Sequence, residues 1–309
     1  KRPRLFEAGG IWTSDEVFDI TELPESLAII GAGVIGMEMA HIFSTLGVDV
    51  TLIEARERIL PLEDEHVSVY MTKLLRKLSV YTSAYVSHVE GSGPYALSVD
   101  TPEGKKTIDA EQVFLCIGRD PVVPDGCEKL GILRRDSGGI VVDEHLQTTV
   151  PGVYAIGDVT GDHMYAYVAS REAAVAVDHI TGGSETISYR NIPSVIYTHP
   201  EIASVGISSS VDGTRASRTG TFPLSALGRA RTMEAGDGYA HITASPEGML
   251  QRISIIAPHA TDLIAWAALA VDQGLTAEQF LGAYCPHPTL SEILKEAAED
   301  LLGVNVHKP

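Results

Sequence analysis

Cysteine is scarce in this chain: three among 309 residues, Cys116, Cys127 and Cys285, widely spaced and odd in number. They form neither a metal-ligand spacing nor a disulfide framework, so no structural metal is expected and a reducing compartment, the cytoplasm, is. Positive charge is also short. The 23 Lys and Arg are outnumbered by 41 Asp and Glu, a formal charge of −18. Such a surface repels nucleic acid and anionic membranes and excludes both as partners. It does not exclude a small phosphate ligand, because backbone dipoles bind phosphate whatever the net charge. No apolar run approaches the roughly 18 residues that cross a bilayer; Leu263 to Val271 comes nearest. No signal peptide, internal repeat or low-complexity tract is read. The first residue is Lys1 rather than methionine, and the native start is expected to lie elsewhere.

What is present suits a soluble protein of two or three domains, with 44% hydrophobic and 21% charged residues. Lys1 to Asp19 reads as an arriving linker, with Gly9-Gly10 as a flexible point and Thr13 to Glu16 as a helix start. Leu27 to Ile30 is an apolar strand, Met37 to Leu46 a helix stopped by Gly47, and Val48 to Glu54 a second strand, a βαβ unit. Asp64 to Leu78 reads as an amphipathic helix; Tyr81 to Val89, Tyr95 to Val99 and Val113 to Ile117 read as strands. Beyond Gly118-Arg119-Asp120-Pro121 the chain turns rich in Pro, Gly and Asp. Ile140 to Val142 and Gly152 to Ile156 read as strands around a Thr148-Thr149 turn, and Ala166 to Ile180 as a helix. From Asn191 a third region carries strands at Ser194 to Tyr197 and Leu250 to Ile256. Helices are expected there at Ala260 to Gln273, Thr276 to Tyr284 and Thr289 to Leu302.

Gly31-x-Gly33-x-x-Gly36 follows a strand, opens a helix and precedes a second strand ending in an acid. Glycines at these places allow a tight turn, close approach of a pyrophosphate and close packing of helix on strand. The helix N-terminus, through Val34, Ile35 and Gly36, supplies N–H groups to the phosphate. Glu54, at the tip of the second strand, is placed to accept hydrogen bonds from an adenosine ribose. A carboxylate there repels a 2′-phosphate and favours NAD over NADP, although Arg56 and Arg58 keep NADP open. Glu38 is expected in the first turn of that helix, where an acid complements the dipole without further function. Gly157-Asp158, at a strand end, is ordinary turn chemistry on its own.

Near the C-terminus, Cys285-Pro286-His287-Pro288-Thr289-Leu290-Ser291-Glu292 sets a histidine five residues before a glutamate. A carboxylate on the far ring nitrogen fixes the tautomer and favours the protonated imidazole, as a general base for a thiol requires. This demands a turn at Pro288 and a helix starting near Thr289. Thr289-x-x-Glu292 has capping-box spacing, so Glu292 serves equally well as a cap.

His-Pro-Thr-Leu-Ser-Glu resembles the C-terminal active-site motif of the dihydrolipoamide dehydrogenases, within the FAD-dependent pyridine nucleotide–disulfide oxidoreductase family. The run Thr149 to Asp158 resembles the second FAD motif of that family, and Thr198 to Glu201 and Ala257 to Ala260 its dimerisation-domain landmarks. The resemblance implies an α/β architecture: a Rossmann-like NAD domain over 23–118, the C-terminal part of an FAD-binding domain of the same type over 119–190, and an α+β dimerisation domain over 191–309, with 1–22 as a linker. It makes His287 the acid/base and Glu292 its orienter. Glu38 would lie beside the nicotinamide, Asp158 would bind the ribityl chain of FAD, and Gly118, Gly157, Met164 and Ala166 would join the cofactor contacts. Tyr167 departs from the histidine that close relatives often carry. The histidines His199 and His259 are expected to be structural, Cys116 an inert core residue and Cys285 a half-buried filler.

The family's N-terminal FAD βαβ unit and its Cys-x-x-x-x-Cys pair are not found in this sequence, so the chain is expected to be the C-terminal two-thirds of such an enzyme. For the intact protein the resemblance implies a homodimer, with FAD and NAD as cofactors, that oxidises a dithiol, dihydrolipoamide first, with a lipoyl domain as a candidate partner. Three alternatives stay open: a non-catalytic NAD-binding or interaction module, a glutathione reductase-like enzyme, and a flavin-linked reductase that uses Cys285.

Overall fold

The computed structural model describes residues 9–207 and 218–308. The first eight residues of the expected linker and Pro309 lie outside them. The described chain divides into two compact units: Gly118–Ile192, and the segments before and after it together. The expected α/β architecture holds.

In chain order the first segment runs β1 (Ser26–Ile30), α1 (Val34–Thr45), β2 (Asp49–Ile53), α2 (Glu65–Leu74), β3 (Ser79–Tyr81), β4 (Tyr85–Gly91), β5 (Tyr95–Thr101), β6 (Gly104–Ala110) and β7 (Gln112–Leu115). Strands β3-β2-β1-β7 form a parallel sheet and β4-β5-β6 a separate antiparallel one. In β1, Leu27 to Ile30 are all buried, as a strand covered on both faces must be. One face of the parallel sheet packs on α1 and α2 through Met37, Phe43, Val67 and Met71. The other face meets β4 to β6, where Tyr95, Leu97 and Val99 alternate inward. Trp12, inside the expected linker, adds a parallel bridge to Phe114, with Ile11 beside it fully buried.

Several local expectations fail for identifiable reasons. Residues 13–16 make a turn instead of a helix, and the Glu16 carboxylate accepts the N–H and hydroxyl of Thr13. Helix α1 begins at Val34, three residues before the expected Met37, because Gly33 already serves as its N-cap. Asp64 is the N-cap of α2 and not its first residue. Strand β6 was not expected: its Gly-Lys-Lys-Thr start carries little apolar signal, and it forms by pairing with β5 along its whole length.

In the middle unit the helix is α3 (Ala166–Ile180), as expected. The strands expected at 140–142 and 152–156 are isolated bridges, Arg134 with Ile140, Val142 with Thr148 and Gln147 with Tyr154. Residues Gly157–Thr160 form a short 3₁₀ turn.

The last segment contains β8 (Ser194–Ile196), β9 (Glu201–Gly206), β10 (Arg218–Pro223), α4 (Gly228–Thr232), β11 (Tyr239–Ala244), β12 (Leu250–Ala257), α5 (Ala260–Asp272), α6 (Ala277–Leu281) and α7 (Glu292–Leu302). Its antiparallel sheet has the order β10-β11-β12-β9-β8. Ile253, Ile255, Ile264, Ile293 and Leu294 lie in the core beneath it. Thr276 forms a capping box with Gln279 and so precedes α6. Helix α7 starts at Glu292 and not at Thr289, because the Thr289 hydroxyl turns back to the Pro286 carbonyl at 2.8 Å. Among the described residues no helix is long and apolar enough to cross a membrane.

Candidate active site

The three glycines of the first motif have three different structural reasons. Gly31 has φ +106°, and a Cβ there would lie 2.5 Å from the Cys116 carbonyl oxygen. Gly36 sits so close beneath the turn that its Cβ would meet the Gly31 oxygen at 1.9 Å. Around Gly33 nothing lies within 4 Å. The protein therefore requires Gly31 and Gly36 for its own packing, whereas the space at Gly33 is open. No side chain caps α1, which leaves the N–H groups of Val34, Ile35 and Gly36 pointing out of its N-terminus. That arrangement can hold an anionic phosphate by dipole and hydrogen bonds together.

Glu54 is buried directly after β2. Its Oε2 accepts the Ala32 N–H at 2.7 Å and its Oε1 the Arg56 N–H at 2.8 Å. The carboxylate thus joins the strand tip to the glycine turn, and each oxygen retains a lone pair for a ligand hydroxyl. Arg58 is committed to backbone, donating to the Glu63 carbonyl at 2.7 Å and the Pro61 carbonyl at 3.1 Å. Glu38 is the fifth residue of α1, in its second turn instead of the first, and accepts the Tyr197 N–H at 3.0 Å. Complementing the helix dipole is therefore not its role; it ties α1 to the end of β8.

Cys116 lies under the same turn, its thiol donating to the Gly31 carbonyl at 3.1 Å. Burial pushes that thiol up to about 12, with the Glu54 charge adding to the shift. This is an unreactive thiol.

In the C-terminal segment, His287 Nδ1 lies 2.8 Å from Glu292 Oε1. The second oxygen of Glu292 accepts the Thr289 N–H, also at 2.8 Å. Glu292 therefore caps the turn and orients the imidazole at once, one oxygen for each. Its side chain is 13% exposed and that of His287 75% exposed, a sheltered carboxylate carrying an accessible ring. With Nδ1 held as the donor, Nε2 is the ring nitrogen that can take up a proton.

In the unit Gly118–Ile192, Gly118 takes φ +115°, three residues after the end of β7. Gly157 is buried with φ +73°, and Asp158 beside it is exposed. Met164 is half-buried and Ala166 is the first residue of α3, whose N-terminus has no side-chain cap. Tyr167 is exposed and stacks on Tyr165 with ring centroids 5.1 Å apart. Sequence reasoning missed Glu172, whose Oε2 accepts the Gly157 N–H at 2.5 Å while Oε1 accepts the Tyr189 hydroxyl at 2.7 Å. A signal existed: Val168, Glu172, Val175 and Ala176 follow helical spacing, so the acid falls on the buried stripe of α3.

The profile of the pyridine nucleotide-disulphide oxidoreductases matches residues 3–173, and that of their dimerisation domain residues 192–298. The chain belongs to the pyridine nucleotide-disulphide oxidoreductase family. It is 38% identical over 303 residues to a dihydrolipoyl dehydrogenase of Chlamydia pneumoniae, covering 96% of this chain and 64% of that relative. A dihydrolipoyl dehydrogenase of Bacillus subtilis is 35% identical over 311 residues, covering 98% of this chain and 67% of its own. Among solved structures, LpdA from Mycobacterium tuberculosis superposes with a TM-score of 0.86 at 28% identity, over 96% of this chain and 67% of that one. The chain thus spans 64% of the length of the first relative.

Proposed function

We propose that the intact protein oxidises a dithiol with NAD as acceptor, using FAD and a redox disulfide carried on a segment outside this sequence, and that the dithiol is dihydrolipoamide. The reading rests above all on the His287–Glu292 pair, since a pure binding module needs neither residue. The names of the relatives support the same reaction.

In this reading the thiol S–H bond breaks as its proton moves to His287 Nε2, and the thiolate is the species that attacks a disulfide. Glu292 stabilises the resulting imidazolium and keeps the ring aimed, because the Thr289 N–H fixes the carboxylate. The uncapped start of α1 holds the pyrophosphate of NAD, Glu54 its adenosine ribose, and Asp158 the ribityl chain of FAD. When bound, these two cofactors supply the hydride chemistry. Residues 191–309 form the homodimer contact, a lipoyl domain presents the dithiol, and the enzyme works in the cytoplasm.

The test is His287→Gln in the complete enzyme. Most dithiol oxidation should vanish while oxidation of NADH by artificial acceptors survives. Equal loss of both activities would overturn the role of His287.

A further inference from the structure

Glu172 is the most completely buried acid of the middle unit, 1% exposed, and among the described residues its partners are the Gly157 N–H and the Tyr189 hydroxyl, neither of them a cation. Leaving an ionised carboxylate in such a place is costly unless hydrogen bonds satisfy it. Both of its oxygens are used. Oε2 takes the N–H of Gly157 at 2.5 Å and Oε1 the hydroxyl of Tyr189 at 2.7 Å. The carbonyl of the same glycine accepts the Thr160 hydroxyl at 2.9 Å. Both polar ends of the Gly157 backbone are therefore fixed, and its left-handed φ of +73° is held between them. The next residue is Asp158, exposed, on the first turn of the 3₁₀ segment. Burial, reinforced by the Glu172 hydrogen bond and charge, raises the Tyr189 phenol, so it stays a donor throughout the working range.

We infer that Glu172 is a positioning residue for flavin: by gripping the Gly157 N–H it sets the direction in which Asp158 presents its carboxylate. This rests on the reading that Asp158 binds the ribityl chain. The side chain of Glu172 is enclosed, so it acts through one peptide group. Charge-assisted hydrogen bonds of this kind are the strong ones, so their loss should be felt as loss of ligand affinity.

The experiment titrates FAD into the deflavinated full-length protein and reads flavin fluorescence, with NADH affinity and thermal midpoint measured alongside. Glu172→Gln keeps the shape but replaces the charged acceptor of the Gly157 N–H by a neutral amide, and should weaken FAD binding about tenfold. NADH affinity should not move. Tyr189→Phe removes only the second donor and should retain most of the FAD affinity, even if it lowers the thermal midpoint as much as Glu172→Gln does. A loss of FAD affinity that follows the midpoint in both variants would overturn the inference in favour of a purely structural role. Asp158→Asn separates the two readings: if it leaves FAD affinity unchanged, the ribityl assignment itself fails. If it weakens FAD while Glu172→Gln does not, the positioning role alone fails.

Discussion

Glu292 divides its carboxylate between His287 Nδ1 and the Thr289 N–H, each at 2.8 Å. Shortening the side chain by one methylene should break that division. Glu292→Asp is expected to keep one contact at most, and to lower dithiol oxidation by about 10²-fold, the lower end of what a positioned base contributes. NADH oxidation by artificial acceptors should be unaffected. A variant with full dithiol activity would show that His287 needs no orienter.

The glycines predict opposite phenotypes a few residues apart. Gly36→Ala forces a Cβ to within 1.9 Å of the Gly31 oxygen and should destabilise the fold by about 1–3 kcal/mol or more. Gly33→Ala meets nothing in the protein, so the thermal midpoint should hold while NADH affinity falls. Unchanged NADH binding in Gly33→Ala would move the phosphate site elsewhere.

What the sequence made legible follows from this. The glycine pattern declares itself because its spacing is local, a turn and a helix start within six residues. The Cys116 carbonyl that crowds Gly31 comes from just past β7 and shows only in the fold. The His287–Glu292 pair was equally local, although periodicity could not tell that Thr289 would bond backward to Pro286 and delay α7. Glu172 was hidden because its partner Gly157 lies fifteen residues away, across a bend that only the folded chain makes. Strand β6 was hidden too, since Lys105 and Lys106 are held by pairing with Asp100 and Val99 and not by apolar alternation.

Arg252 illustrates a contact that no local pattern reveals. Its guanidinium donates to Asp64 Oδ2 at 2.7 Å and Glu63 Oε2 at 3.0 Å, joining β12 to the start of α2. Both acids are buried. Arg252→Met leaves two buried carboxylates without their cation and is expected to cost about 3–5 kcal/mol, measured as a lowered urea midpoint. A change below about 1 kcal/mol would mean that Ser194, Ser204 and Ser254 satisfy those acids unaided.

His66 should make stability fall in mild acid. Burial lowers it from 6.5 to about 4, with His241, 4.3 Å away ring to ring, and Arg252 acting in the same direction and Asp64 against them. His241 is itself lowered by burial, and the Tyr239 ring packs on His66 from the same sheet. The unfolded chain takes up a proton near pH 6.5 that the native state refuses until about 4. Stability is therefore complete above pH 6.5, declines as pH falls through that window, and levels off below it. Screening at a partly exposed ring limits the expected loss to about 1–2 kcal/mol. His66→Phe should flatten the decline; an unchanged slope would place its origin elsewhere.

Cys285 tests the reductase that would use a thiol beside His287. Burial raises this thiol, and the charges of Glu292 and Glu296 raise it further, against the lowering effects of a Thr289 hydrogen bond and Lys295. The thiolate is the reactive species, so a raised thiol two residues from an imidazole is a poor nucleophile despite its position. That imidazole is committed through Nδ1 to Glu292, which leaves only Nε2 for proton uptake. Cys285→Ser in the complete enzyme should thus keep dithiol oxidation within about twofold, and a maleimide at neutral pH should label Cys285 slowly in the native protein. Rapid labelling together with lost activity in Cys285→Ser would make the thiol part of the chemistry, and His287 would become its base instead of the substrate's.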